Sequence, residues 1–170
     1  MQGFRLAVYL NNQENNMNTF KDLSQIDVSN HLEIKHGGLS YLSWMAAWAL
    51  AKDYDPTATF LIHTTDNCDP FFTSDAGAFV AVTVVIKGQE LTEYLPVLDN
   101  RNKPLSSDKL NVFDINSAIK RCLVKCLAMH GLGAMVYISG EGTALDLGTG
   151  LKKEKIPAPK AVSASTTKSF

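Results

Sequence analysis

The chain has 170 residues, 45% hydrophobic and 19% charged, which supports one packed domain with tails and excludes global disorder. Its net charge is −1, so no overall positive field draws a polyanion to it. Residues 151–170 hold five lysines and one acid, leaving 11 basic and 16 acidic residues ahead of them, so any anion site in the folded part has to be a local cluster.

In chain order, residues 1–30 read as an N-terminal extension. A short apolar stretch ending at Leu10 gives way to the polar run Asn11 to Asn18, with no small-residue cleavage site, so a signal peptide is not expected. Met17 is a candidate internal start. No apolar run approaches the length of a membrane span. Residues 31–140 carry the strong periodicity and are expected to form the domain.

The first predicted helix has Ser40 or Ser43 as its N-cap. Tyr41, Trp44, Met45 and Trp48 follow the spacing of one helical face. Pro56 pushes Asp55 out of the helical region and ends the helix. Three strands are predicted next, over 57–65, 78–87 and 91–98. The second is apolar almost throughout, as a strand covered on both faces is. Lys87-Gly88-Gln89-Glu90 makes a tight turn into the third, and Pro96 places the end of that strand at a sheet edge.

After a polar loop, a second helix is predicted with Asp114 as N-cap. Its buried stripe is Ile115, Ala118, Ile119, Cys122, Leu123, Cys126 and Met129. Gly131 and Gly133 stop it, and Met135 to Ile138 reads as one more short strand. Residues 141–170, Gly/Thr-rich and then Lys/Pro/Ser-rich, read as a flexible or partner-binding tail. The order helix, three antiparallel strands, helix gives an α+β fold with helices on one face of a small curved sheet.

The residue types point away from catalysis. There is no phosphate-binding glycine loop ending in Lys-Ser/Thr, no nucleophile elbow and no zinc deaminase pattern. Cys122 and Cys126 lie one helical turn apart but lack two further convincing ligands, and they read as small apolar core residues. His63, Asp66, Cys68 and Asp69 read as a polar loop, and His130 as a cation favoured at a helix C-terminus. No cofactor and no metal are expected. Three cysteines without a disulfide pattern favour free thiols in a reducing compartment.

Two blocks carry a family resemblance. His36-Gly37-Gly38-Leu39-Ser40-Tyr41-Leu42-Ser43-Trp44, followed by Ala47-Trp48, resembles the opening of the Sak-type phage single-strand annealing proteins. Phe113-Asp114-Ile115-Asn116 and the run Arg121 to Gly133 resemble the second block of the same family. The similarity covers about residues 17–140 and extends to the annealing domain of the eukaryotic Rad-family annealase. It implies a β-β-β-α annealase-like core, ring or filament homo-oligomers, and ATP-independent annealing of complementary strands in phage-type recombination. It also implies the cytoplasm of a bacterial host, with single-stranded DNA and further copies of the chain as partners. A phage exonuclease or a host single-strand-binding protein would be a further partner.

A strand annealer holds backbone phosphates and leaves base edges free to pair, which calls for a positive groove. The second predicted helix offers Lys120, Arg121 and Lys125 on its polar arc. Lys120 and Arg121 match the resembling family's groove cations position for position, and Lys125 within one residue. Arg101 and Lys103 in the polar loop, Lys87 in the hairpin, and Lys35 with His36 before the first helix are further candidates. The competing reading of the helix cations is an ordinary solvated face. Tyr41, Trp44 and Trp48 can stack bases, but an amphipathic aromatic stripe is more often core. Two other functions fit an α+β chain of this kind: an interaction module that binds no DNA, and a small-molecule enzyme.

Overall fold

The computed structural model describes residues 19–34, 40–99 and 103–139. The fold is α+β: helices packed with small antiparallel sheets. Residues 19–24 are helical and place Leu23 in the core, and Val28 follows it there. Strands β1 (Leu32–Ile34) and β2 (Ser40–Leu42) pair antiparallel with Glu33 opposite Tyr41. Ser43 takes the N-cap position of helix α1 (Trp44–Tyr54). Tyr41 therefore sits on a strand rather than on the helical stripe. Ala47 and Ala51 make the helix's buried contact, while Met45 is 52% exposed.

The main sheet is built on β5 (Gly77–Ile86). β6 (Gln89–Pro96) lies along one side of it. The other side is shared by β3 (Thr59–Ile62), against Val82 to Val85, and β4 (Phe72–Ser74), against Gly77 to Phe79. The three predicted strands are present, the first shortened at both ends and the other two starting one and two residues earlier and ending one and two residues earlier than expected; β4 and the β1–β2 hairpin are additional.

A two-residue turn, Lys87-Gly88, joins β5 to β6 with positive φ at both residues (50° and 76°). Gly88 takes that conformation without strain, and the pair twists as the flanking strands do. Asp55 at the end of α1 accepts from the Lys87 backbone N–H at 2.6 Å and from Thr57, pinning the turn to the helix. Pro96 occupies the last pair of β6, which no other described strand flanks, so its missing N–H takes no bond from the sheet.

Helix α2 (Val112–Met129) runs across the sheet. Its N-cap is Asn111, not Asp114: Asn111 Oδ1 accepts from the Phe113 and Asp114 N–H groups, and its amide donates to the Asp114 carboxylate. Asp114 thus completes the first turn as a partner of the cap and as an acid at the positive end of the helix dipole. Val80, Val82, Val84 and Ile86 are fully buried in the core with Cys122, Leu123, Cys126 and Leu127, each apolar side chain contributing about 1.5–3 kcal/mol. Met129, expected in the buried stripe, is 43% exposed, because it lies one turn beyond Lys125 on the outer arc, while Cys126, Leu127 and His130 keep the buried face of the last turn.

His130 takes the C-cap position of α2 as expected, but its side chain is fully buried rather than a solvated cation, and its Nε2 donates to the Val84 carbonyl at 3.1 Å. Residues 135–138 are helical rather than a strand, within α3 (Ala134–Ser139). The chain reaches that turn through Gly131 and Gly133, both at positive φ (109° and 69°). A side chain at Gly131 would collide with the Phe20 carbonyl, so glycine lets the α2–α3 corner close on residues 19–24. Among the described residues no helix is long and apolar enough to cross a membrane.

Candidate nucleic-acid interface

Helix α2 serves two faces. On one, the Cys122 and Cys126 thiols donate to the Glu93 and Leu91 carbonyls of β6, each at 3.2 Å. The polar arc, away from those thiols, carries Lys120, Arg121 and Lys125, with Asn116 and Ser117 one turn earlier. These residues form one wall of a groove of about 300 Å³. The opposite walls come from Glu33 and Tyr41 in the β1–β2 hairpin, from Trp44 at the start of α1, and from Val136 and Tyr137 in α3.

All three cations are partly exposed, and among the described residues none is in an ion pair. Their charge is available to a ligand. Lys120 is held: its Nζ lies 4.0 Å from the centroid of the Trp44 ring. A cation over an indole face is attracted to the ring quadrupole, which keeps the ammonium inside the groove. Trp44 is only partly buried and packs on the core through the rest of its surface. It is thus at once core and groove wall, where the sequence had set those roles against each other. Trp48 is directed elsewhere, edge-on to Phe60 with centroids 4.9 Å apart. Tyr137 is 52% exposed, and its hydroxyl feels the Arg121 charge, which opposes the upward shift that desolvation gives the phenol.

Of the other candidates, Lys87 and Lys103 do not join this cluster. Lys87 sits at the hairpin tip, its Nζ 5.4 Å from the Tyr54 ring at the far end of α1. That is roughly 15 Å of helix away from Trp44. Lys103 lies beyond the opposite end of β6, its N–H bonded to the Asp99 side chain at 2.8 Å. β6 alone separates Lys87 from Lys103 by roughly 25 Å. Arg101, Lys35 and His36 lie outside the described residues. His63 bonds through Nε2 to Thr83 Oγ1 at 2.7 Å, and Asp69 bonds with Thr65. Among the described residues no group of three or more His, Cys, Asp or Glu is placed to hold a metal ion.

Sequence reasoning missed Glu33, Asn116, Ser117 and Tyr137 as groove residues. The helical spacing from Asn116 to Lys120 and from Ser117 to Arg121 was a usable signal. Glu33 and Tyr137 had none, because each reaches the groove through an element that the sequence did not show.

The family model described as Sak Single Strand Annealing Protein matches residues 18–168. The chain belongs to the Sak family. Its class of activity is therefore single-strand annealing, with single-stranded DNA as ligand and recombination as setting. The match takes in the whole groove of this Sak protein, from Glu33 to Tyr137. No curated protein and no solved structure matches the chain.

Proposed function

We propose that this Sak protein holds the phosphates of a single DNA strand against Lys120, Arg121 and Lys125 and anneals complementary strands without a nucleotide triphosphate. The observation that carries this reading is the cluster itself: three cations on one wall of a groove, none of them in an ion pair among the described residues. Phosphates supply the missing counter-charge, and binding releases the strand's condensed counterions. The free energy of annealing comes from base pairing, about 1.4 kcal/mol per stacked step, so the chain acts on the kinetics and not as a hydrolase.

One groove offers a short track, and the part of the chain ahead of residue 151 is net acidic, so a single copy binds weakly. Homo-oligomers, as rings or filaments, repeat the track along one strand and raise the effective concentration of each contact. Lys87 and Lys103 serve as outlying backbone contacts between neighbouring copies, and Lys35 and Arg101 add further positive charge for the strand. The setting is the cytoplasm of a bacterial host, where an exonuclease would supply the single strands.

The test mixes two complementary oligonucleotides carrying a donor and an acceptor dye with the full chain and no ATP. Pairing is expected to be faster than with an inert protein of the same size over a range of salt. Equal rates would overturn the reading.

A further inference from the structure

The groove wall opposite the cations carries a group that opposes a phosphate ligand. Glu33 is the one carboxylate among the described residues that line this groove. It is exposed, stands at the middle position of β1 opposite Tyr41, and makes no ion pair among the described residues. The hairpin does not need it: the β1–β2 pairing runs through backbone groups, and a neutral polar residue would serve an exposed strand position as well.

We infer that Glu33 limits the grip of the groove on a single strand. Its carboxylate shares the groove with Lys120, Arg121 and Lys125, and it repels the phosphates that they attract. This rests on the groove being the DNA site, and it adds how tightly that site holds. Four charged side chains line the groove, three positive and one negative, so a bound strand meets a net of two positive charges instead of three. Two unit charges 4 Å apart in water interact by an amount worth about fivefold in a binding constant, and salt reduces it at longer range.

The effect of Glu33 is therefore about two- to fivefold for each groove that a strand occupies. A strand crossing several copies multiplies that factor, so a small local repulsion becomes a large gain in release rate. An annealing protein needs that release, because the paired product has to leave and a strand in wrong register has to be let go. The cations alone would favour capture over correction.

The test is a charge series at one position in the full-length chain: Glu33→Asp, Glu33→Gln and Glu33→Lys. It is read by titration of a labelled oligonucleotide at low and high salt and by the rate at which bound strand exchanges with unlabelled competitor. Glu33→Gln is expected to bind about two- to fivefold tighter and to exchange more slowly. Glu33→Lys should go further in the same direction and Glu33→Asp should match the parent, with the differences shrinking at high salt. A purely structural role would move the melting temperature without ordering affinity by charge. Glu33→Gln binding equal to the parent overturns the inference. So does weaker binding, the result expected of a carboxylate that accepts a hydrogen bond from a base amino group. The triple variant Lys120→Ala, Arg121→Ala, Lys125→Ala separates the two claims. If it binds as the parent does, the groove is not the DNA site and both fall. If it loses affinity while the Glu33 series is flat, only the inference falls.

Discussion

Replacing Lys120, Arg121 and Lys125 together with alanine removes the groove's positive wall and leaves the core intact. Each is partly exposed, and the buried side of α2 is made by other residues, Cys122, Leu123 and Cys126 among them. Arg121 and Lys125 have no ion pair among the described residues to lose. Lys120 gives up its place over Trp44, a contact worth about 0.5–1 kcal/mol at an exposed site. Alanine recovers part of that as helix propensity, so the melting temperature should shift by only a few degrees. Binding should change much more. Each phosphate contact with a single strand contributes about 0.7 to the slope of log affinity against log salt, so three contacts contribute about two units. Anisotropy titrations of a labelled oligonucleotide across a salt series measure that slope, and circular dichroism melts check the fold. A folded triple variant with the parent's affinity and slope would refute the assignment of these side chains to DNA.

Three further outcomes follow from the fold. Gly131→Ala should cost about 3 kcal/mol or more, from a positive φ of 109° and a collision with the Phe20 carbonyl, read as a drop in denaturation midpoint; a drop under about 1 kcal/mol would mean that the α2–α3 corner yields easily. His130 is held neutral by desolvation, with the Val84 carbonyl bond opposing, and among the described residues its Nδ1 has no partner to receive a proton's hydrogen bond. Below pH 6.5 the unfolded chain takes up that proton before the folded one, so His130 removes stability as pH falls, by up to about 1.4 kcal/mol per pH unit, until the folded imidazole titrates. His130→Gln should flatten that part of the pH profile, and an unchanged profile would assign it to other groups. Burial pushes the Cys122 and Cys126 thiols up to about 12 and about 11, while Cys68 is exposed, so a thiol reagent should modify one cysteine quickly in the native protein and all three in denaturant. Two or three fast native thiols would mean that α2 leaves β6 readily.

The legible parts of this fold are those whose pattern is local. Ile115, Ala118, Ile119 and Cys122 show the long helix by spacing alone, and the turn glycine at 88 shows the hairpin. The misread parts depend on partners distant in sequence. Met135 to Ile138 resembles a strand by residue type, yet the corner at Gly131 and Gly133 brings Met135 and Val136 inward as a helical turn. Asn111 and Asp114 are equally good caps on paper, and which one capped was decided by the backbone entering the helix. Leu23 and Val28 are two apolar residues in a polar stretch, and only the closed structure reveals them as core. The cations were visible because they share one helix. The groove around them was not, because Glu33, Trp44 and Tyr137 meet them from three separate elements.

The two walls of the groove differ in how firmly they are built. α2 is 18 residues long, capped, and anchored to β6 by two thiols, with eight of its residues buried. Among the described residues the facing hairpin has three residue pairs, tied to the core by Leu32 and Leu42, and a two-stranded ribbon of that size has little stability of its own. Amide hydrogens on such a ribbon exchange through local opening at a fraction of the global free energy. The groove thus has one fixed wall and one compliant wall, and a ligand that widens it would displace the side that carries Glu33 and Tyr41 before the helix that carries Lys120, Arg121 and Lys125.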